Sequence, residues 1–366
     1  MHNMQGRPEI MREQERTGQA EVAVIGAGLS GLAAAHVLRD HGLSVVLYER
    51  EEQVGGRATT RMRSGFCFDP GAQYIHGQAP VSDALLLERF ATPELVAIAK
   101  PVWTFDSQNR IHEGDPRLNS IPRWTYQHGL LTLAQLMAHG LPVYTGCEIT
   151  RLAYTGQSWL LFSDAAKIVA EVPYVLVTAP APQAAALITT SELPHSLQQT
   201  LLTELGRARY RPLLSLALAW PRRTLPPTPY YALVNSDKAH PISWLAREEE
   251  KGPTRVPPEW TLLIVQLAPD YSRAHWSWDD QALAERATAL LSDLLGQQLP
   301  KPDFYDVQRW PLALPEPETL LDAEAVHGTS APYRLFFSGD AFIGGRAHLA
   351  LAQGQESALR LLAHRR

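Results

Sequence analysis

Residues 20–25 (AEVAVI) form a short, β-branched run, apolar but for Glu21, with the look of a buried parallel strand. From Ser30 to His41, Ala and Leu recur at helical spacing until Gly42 stops them, and Leu43 to Tyr48 is apolar again before Glu49. Strand, helix and strand in succession predict a βαβ opening. The stretch from Pro142 to Ala179 alternates as further strands (VYTGCEITRLAY, SWLLFSD, VPYVLVTAPAP). Leu213 to Trp220, Pro241 to Ala246 and Trp260 to Leu267 predict three more, and Asp280 to Leu295 a strong helix. Near the end, RLFFSGDAFIGGRAHLALAQGQESALRLL reads as a strand, a Gly339-Asp340 pair and a last helix starting near Leu349 and Ala350. Residues 1–19 are polar and charged with no apolar core, so they predict a disordered leader rather than a secretory signal, with Met4 and Met11 leaving the start position open.

The junction between the first strand and helix carries chemistry. Gly26, Gly28 and Gly31, with Leu29 and Ser30 between the last two, make GxGxxG. The first glycine permits a tight turn, the second lets a pyrophosphate approach the backbone, and the third lets the helix pack on the strand. Helix N-terminal amides then face the phosphate charge. Glu49 stands where a carboxylate can accept both hydroxyls of an adenosine ribose. Together these features predict a dinucleotide site. Glu49 is followed by Arg50 and by a second glycine turn with a cation, Gly55, Gly56 and Arg57, which plain NAD-binding domains do not need.

Composition narrows the class. With 366 residues and 45% hydrophobic content the chain can fill two core-bearing lobes. The balance of 33 basic against 38 acidic residues predicts no nucleic-acid surface, and no apolar run is long enough for a membrane span, so a cytoplasmic protein is expected. Cys67 and Cys147 form neither a CxxC pair nor a disulfide framework and predict two buried thiols and no metal site. No nucleophile triad, HExxH or Walker loop competes with a cofactor chemistry.

The motifs together resemble the renalases, short members of the flavin amine oxidase superfamily, from about Ala20 to the end. In that superfamily a GGR turn follows the ribose acid and embraces the FAD pyrophosphate, which points to Gly56 and Arg57. The segment FDPGAQYIHG (Phe68 to Gly77) is similar to the one that runs under the isoalloxazine ring, implying that Gly71, Ala72, Gln73 and Tyr74 lie close to it. Its continuation, Ile75-His76-Gly77, is nearer to what polyamine oxidases show. The resemblance further implies that a backbone group near Ile149 meets the adenine and that the turn at Thr178 and Ala179 lies near the nucleotide. It implies too that Gly339 and Asp340 meet the ribityl chain, and that free amides at Leu349 and Ala350 face the flavin O2 edge. PISWLARE, EWTLLIVQLAPDYSRAHW and QRWPLALPEP resemble renalase segments.

The expected architecture is α/β: a Rossmann-like FAD-binding domain (residues 20–78, 141–180 and 331–366) interrupted by an α+β substrate domain (79–140 and 181–330). FAD is expected to be noncovalent, because the C-terminal motif has no cysteine. Tyr74 and His76 are the foremost substrate-facing candidates, with Trp124, Trp244 and Trp310 beside them. The five lysines, Lys100, Lys167, Lys238, Lys251 and Lys301, all lie outside the matched motifs. The implied reaction is hydride removal from a dihydropyridine isomer of NAD(P)H or from an amine, with molecular oxygen reoxidising the flavin to give hydrogen peroxide. A polyamine oxidase, a mutase-like isomerase, a desaturase and a non-catalytic FAD-holding protein are the alternatives, and the oligomeric state is open.

Overall fold

The structure is a computed structural model that describes residues 20–163 and 167–365; the predicted leader lies outside them. The chain begins with β1 (Val22–Ile25), α1 (Leu29–Asp40) and β2 (Val45–Tyr48), each strand fully buried. Two later strands, β3 (Val143–Tyr144) and β4 (Tyr174–Val177), return to the same sheet. The middle of the chain supplies β5 (Tyr210–Pro221), β6 (Ala232–Asn235), β7 (Ile242–Arg247), β8 (Trp260–Leu267), α2 (Asp280–Leu295) and β9 (Phe304–Pro315). The last elements are β10 (Leu335–Phe337) and α3 (Ala347–Arg365).

The first sheet has the order β3-β2-β1-β4-β10 and is parallel throughout, which explains its uninterrupted apolar strands: helices or a second sheet cover both faces. One face packs on α1, α3 and the Leu131–Ala138 helix. The other packs on an antiparallel sheet containing Ile149–Tyr154 and Trp159–Ser163 and on the Ala181–Thr190 and His195–Leu205 helices. The expected boundaries placed these three helices in the substrate lobe, but their apolar faces close the first core. An amphipathic stripe requires a partner without specifying which sheet provides it.

The second sheet runs β9-β5-β8-β7-β6, then Val102–Phe105 and Ile111–His112. β5 alternates between two cores: Leu214, Leu216, Leu218 and Trp220 face α2, whereas Ala217 and Ala219 face Phe66 and Phe68. The predicted strands and the 280–295 helix are present, with β5 and β7 differing from expectation by a few end residues.

Candidate functional site

At the first strand–helix junction the glycines are fixed by packing. A Cβ at Gly31 would lie 2.1 Å from the Gly26 carbonyl oxygen, whereas one at Gly28 would meet nothing within 4 Å. The loop is therefore closed on its protein side and open where a ligand would approach. No side chain caps α1 at Gly28, so the first-turn amides around Leu29 and Ser30 keep their positive end for an anion. Thr178 Oγ1 donates to the carbonyls of Ile25 and Gly26 (3.0 and 3.1 Å), tying the turn beyond β4, where Ala179 follows, to the glycine loop. Ser30 contributes its hydroxyl to Ser338 (2.8 Å), just before Gly339, rather than to the ligand side.

The second glycine turn lies alongside the first. Gly28 and Gly55 form a parallel bridge, and Gly55 N donates to the Ala27 carbonyl at 2.9 Å. Glu49 is buried, accepting from Ala27 N (2.8 Å) and Glu51 N (3.0 Å), so its carboxylate is held at the loop edge with lone pairs to spare. Arg50 is exposed and pairs with Glu51, while Ile149 is buried on the sheet that packs against Tyr48. Gly56 is exposed beside Gly28. Arg57 donates to the carbonyls of Leu312 and Ala313 (3.0 Å each) and to Asp340 Oδ2 (2.6 Å), so two expected cofactor residues, Arg57 and Asp340, are joined directly. Asp340 accepts on its other oxygen from Tyr210 Oη at 2.8 Å, a bond that sequence reasoning did not foresee.

The last helix starts earlier than predicted. It begins at Ala347, and Ala350 N already donates to the Arg346 carbonyl (2.9 Å). Ala350 is thus corrected: the unbonded first-turn amides are those of Ala347, His348 and Leu349.

Between these parts runs the 68–77 segment. The Gly71 carbonyl accepts from Gln73 Nε2 (3.1 Å) and Gln266 Nε2 (3.0 Å), and Ala72 N donates to the Arg57 carbonyl (3.0 Å). The Gln73 side chain, expected beside the ring, is instead turned inward to Asp69 O (2.7 Å) and Lys251 Nζ (3.2 Å). Lys251, which matched no motif, is fully buried here with Asp69 (3.2 Å) and Glu248 (2.7 Å), and Arg255 completes the group at 2.9 Å from Asp69. Burial works against the Asp69 charge, yet Arg255 and Lys251 hold its pKa at about 2. Two acids and two bases therefore neutralise one another beneath the segment.

Tyr74 and His76 stand together, ring centroids 5.0 Å apart, and Trp244 lies 6.1 Å from Tyr74. The Ile75–His76 strand pairs with Arg123–Tyr126, which places Arg123 opposite His76 and Trp124 opposite Ile75. Trp124 packs in the first core. Trp310 donates to the Pro70 carbonyl (3.0 Å) and so props the segment rather than joining the Tyr74 cluster. Burial first, then His348, Arg346 and Arg123, lower the His76 pKa to about 4.

Cys67 is buried, its thiol pushed up to about 11 mainly by burial, but Cys147 is only half-buried, following the bend that ends β3 at the sheet edge. Among the described residues no group of three or more His, Cys, Asp or Glu could hold a metal ion, and no helix is long and apolar enough to cross a membrane.

An NAD(P)-binding Rossmann-like domain profile matches residues 24–88, and the profile of the flavin-containing amine oxidoreductases matches residues 98–362. Protoporphyrinogen oxidase 2 of Arabidopsis thaliana is 40% identical over 72 residues, a stretch covering 20% of this chain and 14% of that protein. The structure of cyclohexylamine oxidase from Brevibacterium oxydans IH-35A superposes with a TM-score of 0.74 at 15% identity, covering 94% of this chain and 99% of that one. That of a reduced UDP-galactopyranose mutase does so with a TM-score of 0.73 at 13% identity, covering 94% and 96%. At those identities the superpositions establish the fold alone. The open glycine loop, the buried Glu49 at its edge and the family match agree, and the chain belongs to the flavin-containing amine oxidoreductase family, whose cofactor is FAD.

Proposed function

We propose that this chain is a renalase-like oxidase that removes a hydride from a reduced nitrogen heterocycle, a dihydropyridine isomer of NAD(P)H being the first candidate and an amine the second. FAD, held noncovalently, supplies the two-electron acceptor, and molecular oxygen takes the electrons on as hydrogen peroxide. The α1 amides and Glu49 would hold its adenosine diphosphate half, Arg57 and Asp340 its middle, and the 70–74 backbone its ring.

The observation that carries this reading is the aromatic cluster at the end of the 70–74 segment. Tyr74 and Trp244, 6.1 Å apart and both partly exposed, are backed by the fully buried Tyr231 and offer a flat heterocycle an apolar surface. Lys251 is fully buried and shared among Asp69, Gln73 and Glu248, so it offers no base to that cluster. Hydride removal suits such a site, because the chain then has to orient its donor and exclude water rather than take up a proton at a strong base. We place the enzyme in the cytoplasm.

The test is anaerobic bleaching of the flavin absorbance in purified protein by 2- and 6-dihydro-NAD(P) isomers and by primary amines and polyamines. Bleaching by the dihydropyridines, reversed by air with peroxide formed, is the expected result. Bleaching by amines alone makes the chain an amine oxidase. Failure of every donor overturns the reading and favours an isomerase on the same fold.

A further inference from the structure

The Tyr74 cluster has a one-sided charge. Arg123 is 4% exposed, yet its guanidinium meets only neutral groups: Asn119 Oδ1, the Leu118 carbonyl (3.3 Å), and the Tyr74 phenol, whose ring centroid lies 6.0 Å from Cζ. Arg346 Nη1 donates to His76 Nε2 at 3.3 Å, and His348 stacks edge-on to His76 with centroids 5.0 Å apart. Among the described residues neither arginine pairs with a carboxylate, although this chain pairs most of its other buried cations; Lys251, Arg255 and Arg247 each have one.

A buried guanidinium without a counter-charge is costly, and two cations on one small patch repel. Trp244 Nε1 and the Tyr231 hydroxyl, both able to donate, are buried without a partner, and Arg346 is exposed beyond His76. The groups facing His76 are Tyr74 and Arg123 from the strands and Arg346 and His348 from the start of α3, and burial, His348, Arg346 and Arg123 all disfavour its protonation. The unbonded first-turn amides of α3 add positive potential at the same place. What such a patch lacks is an anion.

We propose that Arg346, His76, His348 and Arg123 form an anion subsite, and that the substrate therefore carries a phosphate or carboxylate beside the ring that enters the Tyr74–Trp244 cluster. This rests on the oxidase reading for the ring, but not for the subsite. A cationic polyamine would meet two guanidinium groups, Arg123 and Arg346, that repel it. Arginine with acceptor oxygens forms charge-assisted bonds, and Arg346, at the entrance, is the residue free to make them.

The test is calorimetric titration of inorganic pyrophosphate, and in parallel succinate, into FAD-loaded protein, where the glycine loop is already filled. Wild type is expected to bind at least one of them, with affinity falling about tenfold or more in Arg346→Gln and largely kept in Arg346→Lys. Which anion binds distinguishes a phosphate from a carboxylate subsite. Arg346 is exposed, so the variant keeps its fold, and an unchanged flavin spectrum checks it. No binding of either anion, or equal binding by wild type and Arg346→Gln, overturns the subsite. A second arm compares two donors with one ring, 1-methyl-1,6-dihydronicotinamide and the corresponding mononucleotide: wild type should prefer the charged donor by about tenfold in kcat/KM and Arg346→Gln should not. Equal preference in both proteins also overturns the proposal. Bleaching by neither donor alongside Arg346-dependent anion binding would reject the oxidase reading and leave the subsite standing.

Discussion

The Lys251 ammonium lies 3.2 Å from Gln73 Oε1, and this contact fixes which way the Gln73 amide faces. With its oxygen committed to Lys251, its nitrogen donates to the carbonyls of Asp69 and Gly71, and the backbone expected under the flavin ring is held from behind. A lysine outside every recognised motif thus sets the shape of the segment that leads to Tyr74.

Removing that lysine leaves Asp69 and Glu248 buried with one cation, Arg255, between them. Breaking such a buried group by deleting one member costs about 3–5 kcal/mol. Lys251→Met is expected to unfold at a markedly lower temperature, and adding Glu248→Gln to restore neutrality should recover part of the loss. Thermal unfolding of the FAD-loaded single and double variants decides; equal melting of Lys251→Met and wild type would rule the account out.

Acid should act through the same group. Asp69 has its folded-state pKa depressed to about 2, against a usual value near 3.9 in an unfolded chain, so its stabilising contribution is present above about pH 4. That contribution disappears as the pH falls from about 4 to about 2. Denaturation midpoints in urea measured across this range should drop most steeply there, and Asp69→Asn should flatten that part of the curve.

Glu49→Ala releases Ala27 N and Glu51 N and, on the proposed adenosine assignment, removes an acceptor for ribose hydroxyls. Charged hydrogen bonds contribute about 1.5–3 kcal/mol each, so FAD affinity is expected to fall about tenfold or more. Quenching of flavin fluorescence on titration into apoprotein measures it, and unchanged affinity would remove the adenosine assignment.

Protonation of His76 should accompany anion binding. Its folded pKa of about 4 lies below the usual histidine value of about 6.5, so the His76 imidazole is neutral at pH 6 in the free site, and a bound anion raises that pKa. Sulfate, which does not titrate in this range, is expected to bind FAD-loaded protein more tightly as the pH falls from 7 to 5. His76→Gln should lose that pH dependence; a dependence identical in the variant would assign it to another group.

Trp244→Ala should raise KM for a ring donor more than it lowers kcat, because an aromatic wall contributes about 0.5–1.5 kcal/mol beyond its buried area. Steady-state oxygen uptake separates the two constants.

The first lobe was legible because its information is local. Gly26, Gly28, Gly31 and Glu49 fall within one βαβ unit, and each has a geometric reason visible from spacing alone. Tyr74, His76 and Trp244 do meet, but the charges around them come from three distant segments, and nothing in the spacing of Arg123, His76 and Arg346 brings them together. The run GGRAH carried the one available hint, two basic side chains at the entrance of a helix whose amides were already expected to matter. Lys251 was out of reach for a different reason: a buried ion group has no periodicity, only a sum of charges. The early start of α3 was missed because Ala347 and His348 carry no capping signal, so the apolar rhythm from Leu349 onward was the only guide.

The contact between α1 and α3 also orders events in time. A Cβ on Gly354 would come within 2.1 Å of the Ser30 carbonyl oxygen, and Ser30 bonds Ser338, 308 positions downstream. On a ribosome the glycine loop therefore emerges long before the elements that brace it. Through most of synthesis the nascent first lobe has an uncovered flank where β10 and α3 will dock, and its parallel sheet is completed only by the last residues of the chain.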